Sequence, residues 1–124
     1  MWLTVNSDTM KHRTKQLALA VIRLCRTLPQ SLESRTISRQ LLRSATSVAA
    51  NYRAACRARS TADFTSKLGL VLEEADETLF WLELLVDAGV ARREQVAVPL
   101  DEANQLVSIF VASLRTVKGL KSAI

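Results

Sequence analysis

The 124 residues carry a net charge of +5, with 48% hydrophobic and 23% charged residues, which is the composition of an ordinary globular domain. Three glycines and two prolines are too few for the many turns of a sandwich or barrel, and no apolar run approaches the roughly 18 residues that span a bilayer. We therefore expect one helical domain with no membrane partner. Because Met1–Ser7 lacks a secretory pattern and Cys25 and Cys56 lack metal or redox spacing, we also expect a cytoplasmic protein with reduced thiols.

Helical periodicity starts near Thr9, so residues 1–9 are predicted to be a flexible lead and residues 9–28 a first helix. Pro29 ends this helix, because the residue before a proline avoids the α region. A second helix is predicted over residues 34–57, with Ser31 or Ser34 as its N-cap.

The second helix carries five arginines that fall within roughly 80° of each other, nearly opposite its apolar face. This arginine stripe consists of Arg35, Arg39, Arg43, Arg53 and Arg57. Guanidinium groups bind phosphates bidentately, and the stripe contains no lysine, so it is our candidate nucleic-acid interface. The alternative also stays open: the stripe is a solvated face that pairs with an acidic third helix.

Ser60-Thr61-Ala62-Asp63 is a capping-box pattern that starts a third helix, predicted over residues 60–88 with Gly89 as its left-handed stop. Apolar residues at spacings of four and three predict its buried seam. These are Phe64, Leu68, Val71, Ala75, Leu79, Leu82 and Val86.

A second apolar group on the third helix projects away from that seam. It consists of Leu70, Phe80, Trp81 and Leu84. A helix that is apolar nearly all round needs cover from outside its own bundle, so this group is the candidate oligomer interface. The alternative is a broad core that extends further round the helix.

Residues 90–98 are ambiguous between a loop and a short helical turn. Pro99, followed by Asp101 and Glu102, is typical of the first turn of a helix, and Gly119 of an end, so a fourth helix is predicted over residues 99–118. The four predicted helices therefore indicate that residues 10–124 form an all-α, antiparallel up-down-up-down four-helix bundle.

The charges are strongly segregated along the chain. Residues 1–59 carry a net +9 and residues 60–102 a net −7, so a basic and an acidic part must meet within one protomer or between two. No nucleophile elbow, phosphate loop or zinc spacing occurs. The one histidine, His12, is not in the Glu-x-x-His pattern of a di-metal bundle. We expect no enzymatic activity, no cofactor and no metal; a metal-dependent enzyme using the acids of residues 73–77 is a weaker alternative.

Three consecutive segments carry a family resemblance: QLLRSATSVAANYRAACRA (residues 40–58), S-x-ADF (60–64) and KLG-x-VLEEADET-x-FWLELL (67–85). They resemble the bacterial four helix bundle protein family, also labelled 23S rRNA intervening-sequence protein, which includes relatives of the accessory protein of diversity-generating retroelements. The resemblance extends over about residues 11–118 and implies an up-down-up-down bundle that assembles as a homopentamer. For the retroelement branch it also implies a basic nucleic-acid-binding surface and a reverse transcriptase partner. Many members have Ala-Glu-Gly where this chain has Arg53-Ala54-Ala55-Cys56, which marks a different branch.

The sequence thus predicts a non-enzymatic homo-oligomer that binds RNA, DNA or a nucleic-acid enzyme through the arginine stripe. The alternative function is a protein–protein interaction scaffold in which acids of a neighbouring protomer pair with those arginines.

Overall fold

A computed structural model describes residues 2–123, with side chains for residues 7–119. It contains four helices: α1 (Trp2–Arg26), α2 (Leu32–Ala55), α3 (Thr61–Asp87) and α4 (Arg93–Ala123). Residues 2–123 contain no strand, which confirms the all-α four-helix fold. Met1, in the predicted lead, and Ile124, at the end of the predicted bundle, lie outside the described residues. None of the described helices is long and apolar enough to cross a membrane.

Helices α1 and α4 are longer than the sequence predicted. Helix α1 begins at Trp2, so residues 2–9 are helical rather than a lead, since neither glycine nor proline interrupts them. Helix α4 begins at Arg93 and includes Pro99, which was predicted to start it. The side chain of Gln95 accepts a hydrogen bond from the Arg92 backbone N–H at 2.9 Å, which caps the helix about two turns before the proline. The helix also continues past Gly119.

The ends of α2 and α3 follow the predicted capping chemistry, with shifts of one or two residues in their bounds. Ser31 caps α2 and Ser60 caps α3; each side-chain hydroxyl accepts a hydrogen bond from the backbone N–H three residues on. Helix α2 ends at Ala55, so Arg57 lies in the following turn. Gly89 has a φ of 72°, and the N–H groups of Gly89 and Val90 bond to the carbonyls of Val86 and Leu85. This is a Schellman motif, which confirms the left-handed stop.

The buried seam of α3 departs from the prediction in its second half. Thr78 and Leu85 are fully buried, whereas Leu79 and Val86, which were predicted to line the seam, are only partly buried against the core. Thr78 can occupy the core because its hydroxyl lies 3.0 Å from the Ser44 hydroxyl of α2 and 2.8 Å from the Glu74 carbonyl. A threonine that is hydrogen-bonded in this way is not penalised for burial.

Each helix packs on the one before it, and α1 also packs on α4. The α2–α3 contact is the most extensive and the α1–α4 contact the smallest. The connections span only five residues each, 27–31, 56–60 and 88–92, and short connections favour antiparallel neighbours. The up-down-up-down order stays a prediction that this arrangement favours.

We expect Leu82→Ala to lower the free energy of unfolding by roughly 2–5 kcal/mol, because Leu82 is fully buried and its removal leaves a cavity. Leu79→Ala removes the same atoms from a partly exposed site and serves as the matched control. Urea denaturation of both variants checks the assignment of the seam. A loss at Leu79 equal to or larger than that at Leu82 would contradict it.

Candidate nucleic-acid interface

All five side chains of the arginine stripe are exposed, but they do not share one environment. Arg43 is paired with acids of α3: its Nη2 lies 2.6 Å from Oε1 of Glu77, and its Nη1 lies 3.3 Å from Oε2 of Glu74. The indole N–H of Trp81 donates to the same Glu77 oxygen at 3.1 Å. Arg43 therefore fits the alternative expectation, in which the stripe pairs with the acidic third helix, because two carboxylates of that helix contact its guanidinium.

The hydrogen bond from Arg43, and after it the one from Trp81, holds the pKa of Glu77 below its ordinary value of 4.5. The bond to Glu77, and after it the negative charge of Glu74, raises the pKa of Arg43. Both groups are therefore ionised near neutral pH. This network fixes Arg43 as a structural link between α2 and α3.

The other four arginines of the stripe have no acidic partner among the described residues. Arg35, Arg39, Arg53 and Arg57 take part in none of the ion pairs there, which instead involve Lys11, Arg13, Arg43 and Lys67. A guanidinium that is exposed and unpaired keeps its five donors available for an external anion. These four residues are the part of the predicted site that the structure leaves open.

Helix α1 extends the basic surface beyond the predicted stripe. Cys25 of α1 lines a cleft together with Ser38 and Leu42 of α2, so this side of α1 faces α2. At about 100° per residue, Lys15 and Arg26 lie within roughly 100° of Cys25 on the outward side of α1, and both are exposed. We call Lys15, Arg26, Arg35, Arg39, Arg53 and Arg57 the basic face. The pattern of α2 alone does not contain the α1 residues of this face, although the net +9 of residues 1–59 indicated additional cations.

The cleft between α1 and α2 has a volume of about 340 Å³. Its lining combines two of the free arginines with polar and apolar groups: Arg35, Arg39, Ser38, Gln30, Cys25, Pro29 and Leu42. Burial raises the pKa of the Cys25 thiol, and a weaker opposing effect comes from its hydrogen bond with Ser38. Cys25 is therefore a neutral wall of the cleft, and the arginines provide its charge.

The structure divides the predicted oligomer interface into two pairs. Leu70 and Phe80 are 50% and 53% exposed, whereas Trp81 and Leu84 are partly buried against the core. The rings of Phe80 and Trp81 meet edge to face at 4.9 Å. Leu70 and Phe80 thus remain as two exposed apolar side chains, ten residues apart on α3, and Trp81 and Leu84 fit the alternative of a broader core.

The acidic cluster of α3 belongs to the same arrangement. Within the described part of the chain, no three His, Cys, Asp or Glu side chains converge in a group that could hold a metal ion. Glu74 and Glu77 are instead engaged by Arg43.

A comparison with known protein families identifies the family of this chain. The sequence model described as 23S rRNA-intervening sequence protein matches residues 8–112. The chain belongs to the 23S rRNA-intervening sequence protein family. This confirms the family expected from residues 40–85, while the link to retroelement accessory proteins stays an expectation.

A solved structure shares the fold. The chain is similar to a protein of unknown function from the S23 ribosomal protein family of Bacteroides thetaiotaomicron VPI-5482, with 32% sequence identity and a TM-score of 0.81. The match covers 89% of this chain and 98% of that one. A comparison with curated proteins finds no match. Membership of the 23S rRNA-intervening sequence protein family therefore agrees with the observed fold. A proposal about function must rest on the surface residues of this chain.

The lowered pKa of Glu77 predicts a pH dependence of stability in this family member. Ionised Glu77 stabilises the folded state fully above its unfolded pKa, and this contribution disappears as the pH falls through the lower folded pKa. We expect the unfolding free energy of the wild type to fall more steeply below about pH 5 than that of Glu77→Gln. Arg43→Gln should lose most of the same pH dependence, because Arg43 is the main cause of the shift. Urea denaturation at several pH values checks this; parallel curves for all three proteins would contradict it.

Proposed function

We propose that this protein is a non-enzymatic, homo-oligomeric helical bundle that binds nucleic acid through the basic face. One observation carries the proposal: four of the five arginines in the stripe are exposed and lack an acidic partner in the described residues, although an acidic helix is adjacent. If the stripe served only to pair with α3, all its members would resemble Arg43. The four that do not are better suited to an external polyanion.

The composition of the basic face favours contacts with the phosphate backbone. Arginine side chains bind phosphate oxygens bidentately, and the one Phe, Tyr or Trp residue within residues 7–59, Tyr52, is buried and cannot stack on bases. Binding should therefore show little sequence preference. RNA is the polymer to test first, because the family description refers to an rRNA intervening sequence. A nucleic-acid enzyme, such as the reverse transcriptase expected from the resemblance, is a further partner that we propose for this face.

Single charge-neutralising variants should distinguish the arginines that contact phosphate from the arginine that is held by carboxylates of α3. Each phosphate contact contributes about 0.7–0.9 to the log–log dependence of affinity on salt, so Arg39→Gln and Arg53→Gln should each lower that slope by about this amount. Arg43→Gln removes the same formal charge, but Glu74 and Glu77 already hold that guanidinium, so the slope should not change. Fluorescence anisotropy with single-stranded RNA over a salt series measures all three.

Two outcomes would refute the proposal. The first is a wild type that binds no RNA or DNA at about 50 mM salt, where non-specific affinity is strongest. The second is an Arg43→Gln variant that weakens binding as much as the other two.

A second candidate function, a protein-interaction scaffold, is favoured by the exposed pair Leu70 and Phe80. Large apolar side chains uncovered on a helix face are typical of protein interfaces, and aromatic residues often carry their binding energy. A second copy of the chain is the partner we propose, in keeping with the pentamer expected from the resemblance. This function is compatible with the first, because the two surfaces use different residues.

The double variant Leu70→Ser/Phe80→Ser should dissociate the oligomer while remaining folded, since both side chains are half exposed in the protomer. Val98→Thr is the matched control, because Val98 is 73% exposed on a different helix. Light scattering gives the mass, and circular dichroism gives the helicity. A wild type that is monomeric at tens of micromolar, or a control that dissociates equally, would remove this interface.

A further inference from the structure

The cleft between α1 and α2 offers more than a charged surface, because two unpaired arginines line an open groove between the helices. We propose that it is a phosphate-binding pocket that anchors a nucleic-acid strand at one end of the basic face. The inference rests on the proposed function and makes it more specific, since it assigns one contact to a defined pocket.

Two arginines supply the charge of the pocket. Arg35 and Arg39 are four residues apart on α2, so their side chains are neighbours on one face of the helix, and both line the cleft. Neither forms an ion pair among the described residues, and no carboxylate lines the cleft. Two guanidinium groups on one side of a cavity can form several charge-assisted hydrogen bonds to the oxygens of one phosphate.

The remaining lining suits the same ligand. Ser38 and Gln30 add hydroxyl and amide donors, while Pro29, Leu42 and the neutral thiol of Cys25 form an apolar wall. An apolar wall lowers the local dielectric constant and strengthens the attraction between arginine and phosphate. The volume of about 340 Å³ lies at the small end of the roughly 300–1,000 Å³ typical of ligand pockets, and no aromatic ring is present to stack on a base. A phosphate with its attached sugar fits these features better than a nucleobase.

A second cleft, between α1 and α4, differs from this one in its charges. It has a volume of about 530 Å³ and lies between α1 and α4, where it is lined by Asp101 and Glu102 as well as by His12, Arg13 and Arg23. Arg13 is held there by Glu102 at 2.8 Å. Its mixed charges give no preference for an anion, whereas the lining of the α1–α2 cleft has two arginines and no carboxylate.

The position of the pocket gives Arg53 and Arg57 a role as contacts for the rest of a bound strand. Arg53 lies 14 residues beyond Arg39 on the same helix, a rise of about 21 Å at 1.5 Å per residue. A strand whose phosphate is held in the pocket can run along α2 towards Arg53 and Arg57. The pocket would then fix one phosphate, and the rest of the basic face would contact the following backbone.

Cys25 gives a direct readout of occupancy because its thiol lines the pocket. We would use the Cys56→Ser background, so that Cys25 is the remaining thiol, and follow its alkylation by neutral iodoacetamide. The probe is a short oligoadenylate RNA, with and without a 5′-phosphate. If the pocket binds phosphate, alkylation should slow about tenfold when free RNA is ten times its Kd, since only the empty pocket reacts. Protection that requires the 5′-phosphate identifies a terminal phosphate as the anchor, and equal protection by both RNAs identifies an internal phosphodiester.

A matched pair of variants tests the location. Arg35→Gln/Arg39→Gln and Arg53→Gln/Arg57→Gln remove the same charge, but only the first pair lines the cleft. Protection of Cys25 at equal fractional saturation with RNA should disappear in the first variant and persist in the second. Circular dichroism verifies that both are folded.

If RNA binds the wild type but leaves Cys25 alkylation unchanged, or if both variants retain equal protection, the pocket is excluded and the proposed function stands. If RNA does not bind at about 50 mM salt, the proposed function fails and the pocket fails with it.

Discussion

The pairing of α2 with α3 is the contact on which the remaining structure depends. In its interior the hydroxyls of Ser44 and Thr78 lie 3.0 Å apart, and at its rim Arg43 bridges Glu74 and Glu77. A shift of one residue between the helices would break this bond across the interface, although each hydroxyl would keep the carbonyl partner in its own helix, Leu41 for Ser44 and Glu74 for Thr78. The guanidinium of Arg43, which contacts both Glu74 and Glu77, adds a second constraint on the register between α2 and α3. Exposed ion pairs contribute little to stability, so we regard Arg43 mainly as a positioning contact.

That pairing also determines how the charges of the molecule are distributed. The acids of α3 that face α2 meet Arg43, whereas Arg39 and Arg35, about one and two turns earlier on the same face of α2, line the cleft with α1. Helix α1 contributes further cations there, so positive charge accumulates on one flank without compensation among the described residues. The apolar pair Leu70 and Phe80 lies on α3 instead. In our proposal, phosphate and a second copy of the chain therefore bind to separate surfaces and need not compete.

Periodicity and capping chemistry predicted the four helices, since each depends on residues within one or two turns of each other. The Ser60 cap and the Gly89 stop are local features of this kind. Two of the misses have non-local causes. Burial of Thr78 depends on Ser44, 34 residues away, and the partners of Arg43 depend on the register between two helices, which the pattern of one helix does not contain. The early start of α4 was missed because Arg92 is not a usual capping residue, although Gln95 three residues later was a usable signal.

The central claim is that Arg35, Arg39, Arg53 and Arg57 are free in the protein and become bound by nucleic acid. Side-chain NMR of the arginine Nε–Hε groups measures this directly, without and with single-stranded RNA. Our account predicts that Arg43 is motionally restricted in both states. It also predicts that the other four are mobile in the free protein and become restricted, with shifted resonances, when RNA is added. Four arginines that are already rigid in the RNA-free protein, or that remain mobile in its presence, would contradict the account.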